Sequence, residues 1–351
     1  MSLNFSTVKV GSRLGFGTMS MTWTTNPRPT EQLLETLKYV TTSPEFNVKF
    51  INGGEFYGAE DANLKLLKKF VDDNKPEFNR NLVISIKGGL DLTNFNISSS
   101  KEEVSRSIEN IISYFPQDPS LRPKIIFESC RVDPKVPYEE TIGSAAEYVK
   151  AGKIDGISIS EVGVNSIRKA VGVFPISFIE LEMSLMCQDL IFNGVLEAAS
   201  ELGIPVVAYS PLCRGYLTDS AAEKGDNFLN EMAKDDYRRR LGKFSEENLS
   251  QNMKLVKRLY EFAHDVKKTS LESLALSWIL AISERKQYEG INSVTKIIPI
   301  PSGSTKERIK KNFTELLELT DDDLSKIKDI CKTNEVKGSR YNEDHLHYEF
   351  A

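Results

Sequence analysis

Short runs rich in Ile, Val and Phe alternate along the chain with longer stretches whose apolar residues return every three or four positions. KFIN (49–52) opens the series, followed by two glycines, a Tyr57-Gly58 pair and an amphipathic stretch reaching 70. NLVISIKGG (81–89) comes next, then a predicted helix over 101–114, where Val104, Ile108, Ile111 and Ile112 share one face. KIIFES (124–129) precedes EETIGSAAEYVKAGK (139–153), whose helix should stop at Gly152 after Lys150. KIDGISIS (153–160) leads to a helical 163–171, ISFIELEMS (176–184) leads to 191–202, and IPVVAYS (204–210) follows Gly203. KIIPIP (296–301) runs into KERIKKNF (306–313). This alternation predicts parallel strands joined by right-handed crossovers. Seven units stand out, and a weaker eighth strand is expected around Leu316–Leu319, before a helical 321–332.

Two architectures use such units: an open doubly wound sheet and a closed (β/α)8 barrel. No GxGxxG follows the first strand, and no change of composition divides the chain. The pattern therefore predicts one barrel domain over 1–351. VKVGSRLGFG (8–17) is expected to form an N-terminal hairpin ahead of it. The polar excursion 213–249 reads as a long loop, and loops of that length are usually functional or disordered. Long loops are accordingly expected at the C-terminal face.

Charge and composition narrow the possible partners. A formal net charge of −5 argues against nucleic-acid or acidic-membrane binding. No apolar run approaches a membrane span, and MSLNFSTVKVGS lacks the features of a signal peptide. Cys130, Cys187, Cys213 and Cys331 lie far apart without metal-ligand or disulfide spacing, so a cytoplasmic or nuclear setting is expected. The three histidines (His264, His345 and His347) would need distant segments to converge before they built a triad or a zinc site.

In a barrel of this kind, chemistry gathers where the strands end. The polar residues there are Asn52, Lys87, Ser160, Glu161, Glu180, Glu182, Tyr209, Ser210 and the stretch Ser302 to Arg308. Each also has an ordinary structural reading. Asn52 suits the start of a Gly-Gly turn, Tyr57 a half-buried packing role, and Lys87 a side chain snorkelling from a strand end. Glu180 and Glu182 point to one face and suit either a salt bridge or a ligand amide. A tyrosine beside a lysine is also a proton donor, because the ammonium charge stabilises phenolate and lowers its pKa. Carbonyl reduction needs such a donor together with a hydride source. IPSGSTKERIKKNF supplies an anion site at a helix start, with Lys306 and Arg308 nearby, though a capped basic surface helix has the same pattern.

From LGFGTM through FINGGEFYG, ISIKGG and RVDPKVPYEETIGSAAEYVKAGKIDGISISEV to AYSPLCRGYLT and IIPIPSGSTKERIKKN, the chain resembles the aldo-keto reductase superfamily over nearly its whole length. That resemblance implies a (β/α)8 barrel binding extended NADPH and acting on a small-molecule aldehyde. Carried over by position, Tyr57 is the acid and Lys87 its partner. Gly17, Thr18 and Met19 flank the cofactor, Ser160 meets the carboxamide, and Tyr209 stacks on the nicotinamide. Ser210, Leu212 and Arg214 line the pyrophosphate path, while Ser304, Thr305, Arg308 and Asn312 take the 2′-phosphate and adenine positions. Three positions depart from the family pattern: Asn52 replaces an aspartate, Cys130 a histidine and Glu180 a glutamine. Asn52 is expected to hold Lys87, Cys130 to be a neutral packing thiol, and Glu180 to contact the cofactor on its carboxamide side. FINGGEFYG with ESCRVDP looks most like the fungal pyridoxal reductases, which reduce pyridoxal to pyridoxine. A general aldehyde or ketone reductase is a second reading. A non-catalytic NADPH-binding scaffold, like the potassium-channel β subunits, is a third. No obligate protein partner is implied.

Overall fold

The structure is a computed structural model that describes residues 6–313 and 316–351, with the backbone alone for 343–345. Eight parallel strands follow one another around a barrel: β1 (Phe16–Gly17), β2 (Phe50–Gly54), β3 (Val83–Gly88), β4 (Lys124–Ser129), β5 (Gly156–Ser160), β6 (Phe178–Glu182) and β7 (Val206–Tyr209). A small antiparallel hairpin, β8 (Gln287–Tyr288) and β9 (Ile291–Asn292), then precedes the last barrel strand, β10 (Ile297–Pro299). Backbone bonds from Gly15 to the Pro299 carbonyl (3.0 Å) and from Gly17 to the Pro301 carbonyl (3.2 Å) join the last strand to the first. The barrel closes there.

Two expectations are corrected at this seam. Residues 8–17 form no hairpin among the described residues; Phe16 and Gly17 pair in parallel with Ile51 and Asn52 as the first barrel strand. Leu316–Leu319 is irregular chain, so no strand forms there. Two residues are too few to show a period of two, and this hid the first strand. Six of the other seven barrel strands lie within the apolar runs read from the pattern, and β2 runs two residues past KFIN, through Gly53 and Gly54.

Alternation along the strands sorts the side chains. Phe50, Val83, Ile126, Phe178, Val207 and Ile298 form an apolar floor together with Val8 and Ile300. Ile51, Ile84, Phe127 and Ile179 belong instead to the large core shared with the surrounding helices. Two residues further along the inward register come Asn52, Ser85, Glu128 and Glu180, all buried. Polarity therefore rises towards the C-terminal ends of the strands.

Lys101–Ser113 forms the helix read from its isoleucine face, with Ser100 accepting a capping bond from the Glu103 amide. The helix expected over 191–202 is split into Asp189–Phe192 and Val195–Glu201, since Gly194 takes φ 84° between them. Leu271–Ser283 is buried nearly all round and so lacks the polar stripe that marks a surface helix. The excursion 213–249 is compact: Tyr216 lies fully buried, its ring 4.5 Å from Phe244 and 5.0 Å from Phe228. Beyond it, residues 338–351 return to the mouth. Lys243 donates to the Ser339 carbonyl (3.1 Å), and Gly163 donates to the Ala351 carbonyl (2.8 Å).

Phe50 and Phe178 meet edge to face across the floor at 5.1 Å, both wholly buried. Phe178→Ala should lower unfolding stability in urea by about 3–5 kcal/mol, the usual cost of a cavity that large. A loss under about 1 kcal/mol would mean that the floor collapses to fill the space.

Candidate active site

The turn after β2 explains its two glycines. A Cβ on Gly54 would lie 2.7 Å from Cδ1 of Tyr57, so only glycine lets the ring fold back over the strand end. Gly58 has φ +99°, and a Cβ there would meet the Thr22 carbonyl oxygen at 2.7 Å. Between them, the buried Glu55 carboxylate is gripped by Arg106 (2.7 and 3.1 Å), Ser107 (2.6 Å) and Asn110 (2.8 Å). That anchor ties the turn to the helix Lys101–Ser113. Tyr57 itself packs with Phe56, Leu90 and Cys130, flanked by Met19, Leu92 and Ile97. Trp23 lies against the Tyr57 ring at 5.8 Å and stacks on Phe95 at 6.4 Å, both partly open to solvent. The Tyr57 hydroxyl has no hydrogen-bond partner among the described residues.

Below it lies a buried charge cluster. Lys87 faces Glu128 across the β3–β4 pair, its Nζ 2.9 Å from Oε1, and it hydrogen-bonds to Glu180 Oε1. Asn52 Nδ2 donates to Glu180 Oε2 (2.6 Å) and reaches Glu128 Oε2 at 3.4 Å, to which Ser85 also donates (2.7 Å). Burial alone would favour deprotonation of Lys87, but the charges of Glu128 and Glu180 outweigh it and hold its pKa well above the usual value. Burial, then the charge of Glu128, pushes the Glu180 carboxyl upward against the pull of Lys87. Asn52 therefore reaches Lys87 through Glu180 rather than by a direct bond. Both oxygens of Glu180 are engaged within the charge cluster, by Lys87 and Asn52.

The expected lowering of the Tyr57 pKa is reversed. Burial is the largest effect and raises it; Lys87 pulls it down, but Glu180 and Glu128 offset much of that pull. The phenol is held firmly protonated. Burial also raises the Cys130 thiol despite Arg131 and Lys87, which keeps it neutral at pH 7.

A second network binds the tail to β5–β7. Tyr209 donates its hydroxyl proton to Glu161 (2.8 Å) and lies 2.6 Å from the Tyr341 hydroxyl. Arg340 donates to Glu161 (2.7 Å) and Glu349 (3.1 Å), and lies 3.5 Å from Glu182. Burial pulls the Glu161 carboxyl upward, but Arg340 and Arg131 together overcome this and hold it below its ordinary value. Arg214 bonds to Glu182 (3.2 Å) and to the Arg340 carbonyl (2.9 Å), which ties it to the tail. Glu128, Ser85, Arg340 and Tyr341 were not singled out from the sequence. The inward register of KIIFES pointed to Glu128, but nothing local marked Arg340 or Tyr341.

The remaining expected cofactor residues stand at or just beyond the ends of β1, β5, β7 and β10. Gly17 and Thr18 end β1, where the Thr18 hydroxyl donates to the Asn52 carbonyl (2.8 Å). Ser210 and Leu212 follow β7, with Ser210 at φ 50°. Among the described residues, Ser160 Oγ is buried without a hydrogen-bond partner, as is Asn312 Oδ1, whose amide nitrogen donates to the Ser302 carbonyl (3.0 Å). Ser304 and Thr305 stand at the start of the helix Lys306–Phe313, where Thr305 Oγ1 accepts from the Arg308 amide (3.2 Å). Lys306 is paired with Glu35 (2.9 Å), whereas Arg308 is exposed with no carboxylate partner among the described residues.

The aldo/keto reductase family model matches residues 13–332, and the chain belongs to that family. It is 34% identical over 345 residues to the "Putative pyridoxal reductase" of Saccharomyces cerevisiae, covering 93% of this chain and 95% of that protein. It is 30% identical over 339 residues to the "Probable pyridoxal reductase 2" of Schizosaccharomyces pombe, covering 95% of each. The fold is similar to that of a glycerol dehydrogenase from Gluconobacter oxydans, with TM-score 0.73 at 17% identity over 95% of this chain and 97% of the other. No helix among the described residues is long and apolar enough to cross a membrane.

The cluster predicts the effect of restoring an aspartate at Asn52. Asn52→Asp removes the donor to Glu180 and adds a third carboxylate beside Glu128 and Glu180, with one lysine between them. The new carboxyl should have a folded pKa above its unfolded value, so its destabilising effect grows as pH rises past the unfolded value. Urea unfolding at pH 8 should show a loss of about 3–5 kcal/mol, larger than for Asn52→Ala and shrinking at pH 5.5. A loss independent of pH would refute the repulsion.

Proposed function

We propose that the protein is an NADPH-dependent reductase of small carbonyl compounds, with pyridoxal the favoured substrate. The observation that carries this reading is the unbonded, protonated Tyr57 hydroxyl beside charged Lys87, in an apolar recess at the barrel mouth. Names given to the two yeast relatives support pyridoxal, and the aromatic lining from Trp23, Phe56 and Phe95 suits a flat ring.

The cofactor fits the residues present. Ser160 Oγ and Asn312 Oδ1, both buried and unpartnered, would meet the amide of the nicotinamide and the amino group of the adenine. Tyr209 lies beyond Ser160 on the same rim, and Arg308 at the helix start would take the 2′-phosphate. When bound, NADPH supplies the hydride. Tyr57 then gives its proton to the carbonyl oxygen as negative charge builds there, and Lys87 stabilises the phenolate left behind. Glu128 and Glu180 keep Lys87 charged and aimed. Cys130, as a neutral thiol, adds no charge to oppose the developing oxyanion.

NADPH oxidation measured with pyridoxal beside a matched panel of aliphatic aldehydes tests the reading. Pyridoxal should give the highest kcat/KM; a flat profile would leave a general reductase, and no turnover on any aldehyde would leave a cofactor-binding scaffold.

Tyr57→Phe should still bind NADPH, as followed by fluorescence, yet lose at least ~100-fold in kcat, the low end of general-acid contributions. Turnover near that of the wild type would assign the proton to another donor.

Arg308→Ala should weaken NADPH binding about tenfold or more, since a charge-assisted phosphate contact is worth about 1.5–3 kcal/mol. NADH binding should scarcely change. Equal losses for both cofactors would remove Arg308 from the 2′-phosphate site.

A further inference from the structure

Arg131 follows Cys130 at the end of β4, and its charge is handled unlike that of Lys87, Arg214 and Arg340 nearby. Lys87 is neutralised by Glu128 and Glu180, Arg214 by Glu182, and Arg340 by Glu161 and Glu349. Arg131 is half-buried, and among the described residues no carboxylate lies within ion-pair distance of it; Glu161 acts on it only at longer range and is itself paired with Arg340. Both of its hydrogen bonds to oxygen go to neutral acceptors: the Cys130 carbonyl (2.7 Å) and the Tyr341 hydroxyl (3.1 Å). Its Nη1 also lies 3.9 Å from Cys130 Sγ. Because the Cys130 side chain packs in the same cluster as Tyr57, Arg131 stands one side chain away from the recess that holds the candidate acid.

A guanidinium carries five N–H donors in a fixed fork matched to two oxygens of an anion. Removing such a group partly from water without a counter-charge is costly, and a ligand anion recovers that cost. The group is also held in place. The Tyr341 ring lies 5.5 Å below the guanidinium, and the Tyr341 hydroxyl is fixed against Tyr209 at 2.6 Å. Across the recess, the Trp23 and Phe95 rings are nearly parallel, with an interplanar angle of 20°. A ligand that satisfies both sides is flat, apolar over its faces and anionic at one edge.

We propose that Arg131 is a specificity-determining residue that recruits aromatic aldehydes bearing an anionic oxygen, a carboxylate or a phenolate, in preference to neutral ones. This rests on the reductase reading above and narrows its substrate class; pyridoxal, whose ring hydroxyl ionises readily, falls within it. Tyr341 is then a positioning residue, contributed by the tail, that keeps the guanidinium fork turned towards the recess.

The test compares 4-carboxybenzaldehyde with 4-methylbenzaldehyde, which are close in shape and differ in charge, at saturating NADPH. In the wild type, the carboxylate should be favoured at least ~10-fold in kcat/KM, the lower end expected of a charge-assisted hydrogen bond. Arg131→Gln should lower the carboxylate-to-methyl ratio by ~10-fold or more, and Arg131→Lys should restore part of it. Calorimetric titration with 4-methylbenzoate, which cannot be reduced, gives a readout independent of turnover: its affinity should fall with Arg131→Gln and recover partly with Arg131→Lys. An unchanged ratio, or equal losses on both aldehydes with unchanged benzoate affinity, would make Arg131 a tail-holding residue and overturn the proposal. Turnover of both aldehydes without a preference would remove this inference alone. No turnover of either aldehyde or of pyridoxal would remove the reductase reading, and this inference with it.

Discussion

The site depends on one lysine shared by two buried glutamates. Two carboxylates and an ammonium within a few ångströms, all out of water, are tolerable only while each compensates the others. Glu128 reaches Lys87 because β3 and β4 place them directly opposite, and Glu180 reaches it across the barrel from β6. Asn52 and Ser85 occupy the remaining carboxylate oxygens. Removing Lys87 strands two buried carboxylates, and removing Asn52 or Ser85 takes a donor from a buried carboxylate oxygen, so the floor of the mouth is rigid for electrostatic reasons as much as for packing. The apolar layer of Phe50 and Phe178 beneath it excludes water and keeps those charges strongly coupled.

This arrangement changes what the lysine does for the tyrosine. A lysine whose charge is largely balanced stabilises phenolate less than a lone one, and burial of Tyr57 then dominates. The hydroxyl is thus an abundant but reluctant acid. Reluctance suits a donor that should release its proton only when negative charge appears on a bound carbonyl oxygen. The turn that carries Tyr57 is correspondingly stiff, fastened by Glu55 to a helix and shaped by a glycine that permits the ring to fold over.

The tail supplies what the strands lack. Arg340 neutralises Glu161, which would otherwise be an isolated buried carboxylate at the end of β5, and Tyr341 links β7 to Arg131. One rim of the mouth is therefore built by residues more than a hundred positions apart in the chain. Its integrity is coupled to the docking of residues 338–351.

The alternation of strand and helix and the polar residues at strand ends are readable along the chain, because each depends on neighbours a few positions away. Periods of two and of about 3.6 are local properties. Closure of the barrel is not: β1 is two residues long and is defined only by pairing with β2 and with the chain at Pro299 and Pro301. The partners of Lys87 are equally non-local. Glu128 reads as the polar end of an apolar run until the strand register sets it opposite Lys87, and only the barrel's curvature brings Glu180 to the same ammonium. Arg340 and Tyr341 sit in a polar segment with no periodicity, so their role arises only where the tail crosses the mouth. Local composition determined which residues are available for chemistry here, and the closed barrel decided which charges must compensate one another, because burial makes the spacing between distant residues an energetic constraint.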